Sequence, residues 1–189
     1  MNEKQWAESI KEYLSSVFLS DNVKIDTLIK LPYAKEILDY KNNFEPMNES
    51  LMDFETDLLV YEKTDGLIKP RIIIEMKLSS VTTHDAIIYS YKAQNHKTIT
   101  PFLRYGIIIG SRKHYPLPGR LFRHGINFDF MISFQKEKLS PTEKNAFEDI
   151  IKKELNYSRQ LEEMFFNSRS KSRKHYFVLH KELSLKEID

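Results

Sequence analysis

Apolar residues in the first 19 positions recur at helical spacing. Trp6, Ile10, Tyr13 and Val17 fall on one face, which predicts an amphipathic helix over 3–19. Residues 22–50 are less regular. NVKIDTLIK reads as a strand, and YAKEILDY, following Pro32, as a short helix. FETDLLVYEK (54–63) alternates and predicts a strand. RIIIEMK predicts the next, with the Asp65-Gly66 turn signal between them. A helix is predicted over 84–100, starting near Thr83 as N-cap and stopping before Pro101. RYGIIIG is a short buried strand, SRKHYPLPGRLFRHG a loop with one helical turn, and INFDFMISF a further strand. Ser140, Pro141 and Glu143 have the form of a capping box with proline at the first helical position, predicting a helix from there to about Phe166. A basic linker, NSRSKSRKH, and a last short strand, YFVLH, complete the order. This alternation predicts a mixed α/β sheet with helices packed on it.

Length and composition narrow the class. The 189 residues suit one domain with a substantial core, and 41% hydrophobic with 30% charged residues suits a soluble globular protein. The longest apolar runs are too short to span a bilayer, so no membrane partner is expected. The charged, amphipathic N-terminus is unlike a signal peptide. Cysteine is absent, which excludes disulfides and thiolate zinc sites and is compatible with a reducing, cytoplasmic location. A net charge of +2 does not announce nucleic acid, so any basic surface must come from local clustering.

One stretch departs from the core pattern. In RIIIEMKLSS, alternate residues share a face of the strand. Ile72, Ile74, Met76 and Leu78 form an apolar face, while Arg71, Ile73, Glu75 and Lys77 form one that turns charged at its C-terminal end. A hairpin closed at Asp65-Gly66 pairs positions summing to about 131 or 132, and Asp57 with Glu75 gives 132. Two carboxylates facing each other across strands about 4.8 Å apart repel, and a divalent cation between them is the simplest relief. Oxygen ligands with no Cys or His nearby favour Mg²⁺ over Zn²⁺. Lys77 lies one side-chain step away on the same face, placed to hold a water or an anionic phosphate.

TDLLVYE followed by IIIEMK resembles the active-site signature of the PD-(D/E)xK nuclease superfamily. That signature is an Asp at a strand start and Glu-x-Lys on the next strand, matched by Asp57, Glu75 and Lys77. Thr56 stands where a proline often precedes the Asp. Glu75-Met76-Lys77 is the only Glu-x-Lys in the chain; Asp39-Tyr40-Lys41 lies in no apolar strand. Gln94, in the helix that follows, resembles a polar residue many members place beside the site. The order after the motif is similar to cleavage domains of type IIS restriction enzymes, and the resemblance covers about residues 50–155.

The resemblance implies a restriction-endonuclease-like fold: a single domain with a mixed sheet flanked by helices and a helical C-terminal extension, 156–189, available for interaction. It implies an Mg²⁺-dependent endodeoxyribonuclease, with Mn²⁺ able to substitute. The metal would be held by Asp57, Glu75 and the Met76 carbonyl, with Asp57, Glu75, Lys77 and Gln94 as catalytic positions. The expected partners are double-stranded DNA and a second copy or subunit, since cutting both strands needs two sites. A repair, recombination or transposition nuclease of the same fold, and a non-catalytic nucleic-acid-binding module, are the alternatives.

Several other side chains bear on this reading. Many members use an acid from the first helix; here Glu8 and Glu12 lie opposite Trp6 and face solvent. Glu55 is expected on the Asp57 face as a solvated charge. Arg112, Lys113, Arg120 and Arg123, with His114 and His124, form one basic cluster suited to phosphate. Arg169, Lys171, Arg173 and Lys174 form a second. Leu161, Met164 and Phe165 are an apolar group near the end of the last helix.

Overall fold

The computed structural model describes residues 1–19, 22–112, 116–167, 171–172, 174–180 and 183–186. Helix α1, Glu3–Val17, opens on a capping box between Asn2 and Gln5 and buries Trp6, Ala7, Ile10 and Leu14. Strands β1 (Val23–Tyr40), β2 (Pro46–Thr64) and β3 (Leu67–Leu78) follow as an antiparallel meander. Helix α2 (Thr83–Ile99), capped by Thr82 and Asp85, leads to β4 (Arg104–Gly110). The short α3 (Gly119–His124) leads to β5 (Phe130–Ser133), and α4 (Pro141–Asn167) closes the order. Among the described residues the strands form one mixed sheet in the order β1-β2-β3-β4-β5, with β3, β4 and β5 parallel.

Each face of the sheet is covered. On one side α1 and α4 pack on Leu58, Val60, Ile72, Ile74, Met76 and Ile108. On the other, α2 and α3 pack on Leu59, Ile73, Tyr105, Ile107 and Ile109. The isoleucine run of β3 is thus buried on both faces, as a central strand with parallel pairing requires. Among the described residues no helix is long and apolar enough to cross a membrane.

The β2–β3 turn has the form its sequence predicts. Asp65 and Gly66 both take positive φ, 51° and 78°, between the paired Thr64 and Leu67, as a type I′ turn demands. Near this turn, paired positions sum to 131. Past a bulge at Arg71 they sum to 132, as in Val60–Ile72 and Leu58–Ile74. One extra residue in β3 therefore sets the register that brings Asp57 opposite Glu75.

Three expectations are corrected. YAKEILDY is strand, not helix: Ala34 to Ile37 pair with Met52 to Glu49, and Asp39 and Tyr40 with Met47 and Pro46, and this cross-strand pairing overrides a weak local helical pattern. Most of INFDFMISF is loop; only Phe130–Ser133 pairs with β4, because the Asp129 carboxylate binds the Tyr105 amide and ends the ladder there. YFVLH forms no strand: Tyr176–His180 are exposed and irregular, with no ladder to join. In the last helix Leu161 and Met164 are half-buried, while Phe165 is exposed.

The β1–β2 hairpin also changes face partway along. Ile25 packs on the α1 side, whereas Ile29 and Leu31, of the same parity, pack on the α2 side. Between them Leu28 has φ 57°, a backbone conformation that interrupts regular alternation. Phe54, paired with Leu31, follows it to the α2 side, where its ring meets Lys92 and His96. Glu55 consequently points away from α2 and does not share a face with Asp57.

Candidate active site

Asp57 and Glu75 meet where β2 leaves β3. The last rung of the ladder is Leu58–Ile74; beyond it, the Met76 amide donates to Asp57 Oδ2 at 2.8 Å instead of to a backbone carbonyl. In a strand a residue's amide and carbonyl point to the same side, so the Met76 carbonyl is turned toward Asp57 as well. The Met76 side chain lies in the opposite core.

Glu75 is 2% exposed and its Oε1 is held twice. Lys92 of α2 donates to it at 3.1 Å, and the Tyr105 hydroxyl of β4 donates to the same atom. Burial pushes the Glu75 carboxyl up to about 6; the facing Asp57 adds to the rise and Lys92 opposes it. Burial raises Asp57 too, against the Met76 hydrogen bond and the charges of Lys92 and Lys77. Tyr105 is raised well above the ordinary phenol range by burial and by the charge of Glu75.

Lys77 is one alternation beyond Glu75. Its ammonium lies 5.2 Å from the Tyr89 ring and 3.5 Å from a Glu3 carboxylate oxygen. Burial works against its charge, but the Tyr89 hydroxyl, Glu3 and Asp85 outweigh burial and its pKa is raised. The acid that α1 brings to this end of the sheet is thus Glu3, which also accepts the Leu78 amide at 3.2 Å. Glu8 instead binds the Thr27 hydroxyl and lies 3.5 Å from Lys11; Glu12 is exposed.

Gln94 is not brought to the carboxylates. It is exposed, two residues and so about 200° around α2 from Lys92. The positions of α2 that face the pair are Tyr89 and Lys92. Neither Glu3 nor Lys92 stands out in the linear sequence. For Lys92, the available signal is its spacing with Tyr89 and His96 along one helix face.

Among the described residues no group of three or more His, Asp or Glu side chains converges on a point that could hold a metal ion. The donor set is therefore two carboxylates, with only Asp57 Oδ2 and Glu75 Oε1 engaged by the bonds above, and a backbone carbonyl. That set fits Mg²⁺, which keeps several waters and takes one or two carboxylates together with substrate phosphate.

The first basic cluster is partly assembled. Arg112, just past β4, is half-buried, and partial burial together with the charge of Arg120 lowers its pKa. Arg120 and Arg123 are exposed on α3. Lys113 and His114 lie outside the described residues, as do Arg169 and Arg173 of the second cluster. Of that second cluster, Lys171 is exposed and Lys174 pairs with Glu163 of α4.

No protein-family model matches the sequence, and no curated protein matches it. A search of solved structures matches the crystal structure of the pre-specific restriction endonuclease BsaWI–DNA complex. The match has 12% identity and a TM-score of 0.42, over 90% of this chain and 65% of that one. The chain thus spans less than two thirds of that enzyme's length.

Proposed function

We propose that this protein is a metal-dependent endodeoxyribonuclease of restriction type, hydrolysing phosphodiester bonds in double-stranded DNA. The observation that carries this reading is the pairing of Asp57 with Glu75 at the end of two strands, both carboxyls raised by burial, with Lys77 one alternation further. An apolar core has no use for two facing acids. A site for a hard cation has.

Asp57, Glu75 and the Met76 carbonyl would hold Mg²⁺, or Mn²⁺ in its place. When bound, such a cation supplies polarisation of the scissile phosphate and a lowered pKa for its water. Lys77 orients the attacking water and offsets the negative charge that grows on the phosphorus oxygens. Tyr105 and Lys92 hold one Glu75 oxygen, which leaves the carboxylate no freedom to swing away. Glu3 and Tyr89 restrict the Lys77 ammonium in the same way. Arg112, Arg120 and Arg123 contact DNA phosphates. One such site cuts one strand, so cleavage of a duplex draws on a second copy or another subunit.

The test is incubation of supercoiled and linear DNA with and without Mg²⁺, with mapping of the ends. Wild-type protein should nick or linearise the plasmid only with the metal, and Asp57→Ala and Lys77→Ala should be inactive with an unchanged circular dichroism spectrum. Full activity in either variant would overturn the assignment.

A further inference from the structure

Lys92 is the one strongly placed group at the site to which the mechanism gives little work. Its side chain is 13% exposed, and its ammonium lies 3.1 Å from Glu75 Oε1. Two aromatic rings enclose it: Phe54 at 5.0 Å and Tyr89 at 5.2 Å. Burying an ammonium this far is costly unless a carboxylate and ring faces compensate it, and here both do. Lys77 lies over the same Tyr89 ring, also at 5.2 Å. Two carboxylates, Asp57 and Glu75, are thereby matched by two ammonium groups, Lys77 and Lys92. The four charges sum to zero before any ion enters.

A pair of divalent ions bound about 4 Å apart needs carboxylates enough to offset four positive charges. Beyond Asp57 and Glu75, the acids that act on this end of the sheet are Glu3, committed to Lys77 and the Leu78 amide, and Asp85, committed to the Thr82 amide and hydroxyl. We infer that Lys92 is a resident counter-cation, occupying the charge position a second metal ion would otherwise take, so that each chain binds a single divalent ion and binds it against the repulsion of Lys92. This rests on the metal-binding reading of Asp57 and Glu75. Lys92 acts through Glu75 and is a positioning residue, not a catalytic one.

The experiment is calorimetric titration of the full chain with MnCl₂, without DNA, for wild type, Lys92→Met and Lys92→Arg. Wild type should bind one ion per chain. Lys92→Met, which keeps the stem between Phe54 and Tyr89 but removes the charge, should bind its first ion at least about tenfold tighter, because a unit charge within a few ångströms is felt strongly at a part-buried site. Lys92→Arg should restore weak, single-ion binding. A purely structural role for Lys92 predicts the opposite for Lys92→Met, since a loosened Glu75 is a poorer ligand. If wild type binds Mn²⁺ and Lys92→Met binds it equally or more weakly, the inference fails while the nuclease reading stands. If neither binds, both fail. If only Lys92→Met binds, wild type holds no ion beside Lys92 and the inference of one bound ion per chain fails. A loss of fold in Lys92→Met, visible by circular dichroism, is met by Lys92→Gln, for which the same tightening is expected.

Discussion

The Met76 amide donates to Asp57 Oδ2 at 2.8 Å, so a side chain supplies the rung that the β2–β3 ladder lacks at its end. The carboxylate thus does two jobs: it closes the hairpin and it faces Glu75. These separate in Asp57→Asn, whose amide oxygen can still accept from Met76 while the negative charge is gone. DNA cleavage should fall by two or more orders of magnitude, as expected when a charged group acting on the reacting phosphate is lost. Stability at neutral pH should stay within about 1 kcal/mol of wild type, because relief of repulsion with Glu75 offsets a weaker hydrogen bond. Plasmid cleavage and a thermal melt check both halves.

Glu3 and Lys77 give a graded pair. Lys77→Ala removes the ammonium and should lower kcat by about 10² or more. Glu3→Gln leaves it in place and removes only one of the groups that restrict it, so kcat should fall by less than about tenfold with KM for DNA unchanged. A steady-state comparison decides between them; equal losses would mean that Glu3 itself touches the reacting groups.

The register behind this geometry was half legible in the chain. Asp65-Gly66 announces a type I′ turn, and counting outward from it brings Asp57 and Glu75 together only if the sum is 132. The sum near the turn is 131, and the added residue comes from the bulge at Arg71. Arg71 is buried against Glu62, Glu162 and Ser158, and no local rule predicts that environment. Caps were legible to within a residue for a similar reason: Ser140–Glu143 satisfies amides within three residues of itself as read, while the α2 cap read at Thr83 is made one residue earlier, by Thr82 with Asp85. What could not be read was anything decided by packing between distant elements. YAKEILDY has the residue types of a helix and becomes strand through pairing with 46–52. Lys92 finds Glu75, and Glu3 finds Lys77, only once α2 and α1 have docked on the sheet.

Arg120 and Arg123 project from α3, exposed, with Arg112 close enough for its pKa to feel Arg120. Contacts of this kind release counterions, so each phosphate neutralised steepens the dependence of log K on log salt by about 0.9. Arg120→Ala with Arg123→Ala should reduce the slope by roughly 1 to 2, weaken binding equally for unrelated DNA sequences, and leave the melting temperature unchanged. Fluorescence anisotropy with labelled duplexes at several salt concentrations measures this. An unchanged slope would move the DNA-binding surface elsewhere.

His96 carries a pH dependence opposite in sign to that of the buried carboxyls. It is 1% exposed, its ring packs on Tyr105 at 5.8 Å, and Nδ1 donates to the Pro32 carbonyl at 3.0 Å, while Nε2 is buried without a partner. A second proton would have to sit on that enclosed nitrogen. Burial therefore lowers its pKa from 6.5 to about 4, with the charge of Lys92 adding to the shift and the Pro32 carbonyl opposing it. The unfolded chain takes up this proton as pH falls through 6.5, whereas the folded chain resists until about 4. Between those values the unfolded state binds more protons, so this contribution to stability is complete above about pH 7 and is lost progressively toward pH 4. The loss should reach about 2 kcal/mol at pH 4.5. Raised carboxyls such as Glu75 and Asp57 work in the other direction over the same range, so the comparison must be between variants. His96→Asn keeps a donor for Pro32 but cannot titrate. It should be less stable at pH 7.5, because a ring is lost from the stack, and should show a smaller fall between pH 7.5 and pH 4.5 than wild type in urea denaturation. Parallel pH profiles for the two proteins would show that His96 is protonated in the fold and that its buried nitrogen has found a partner.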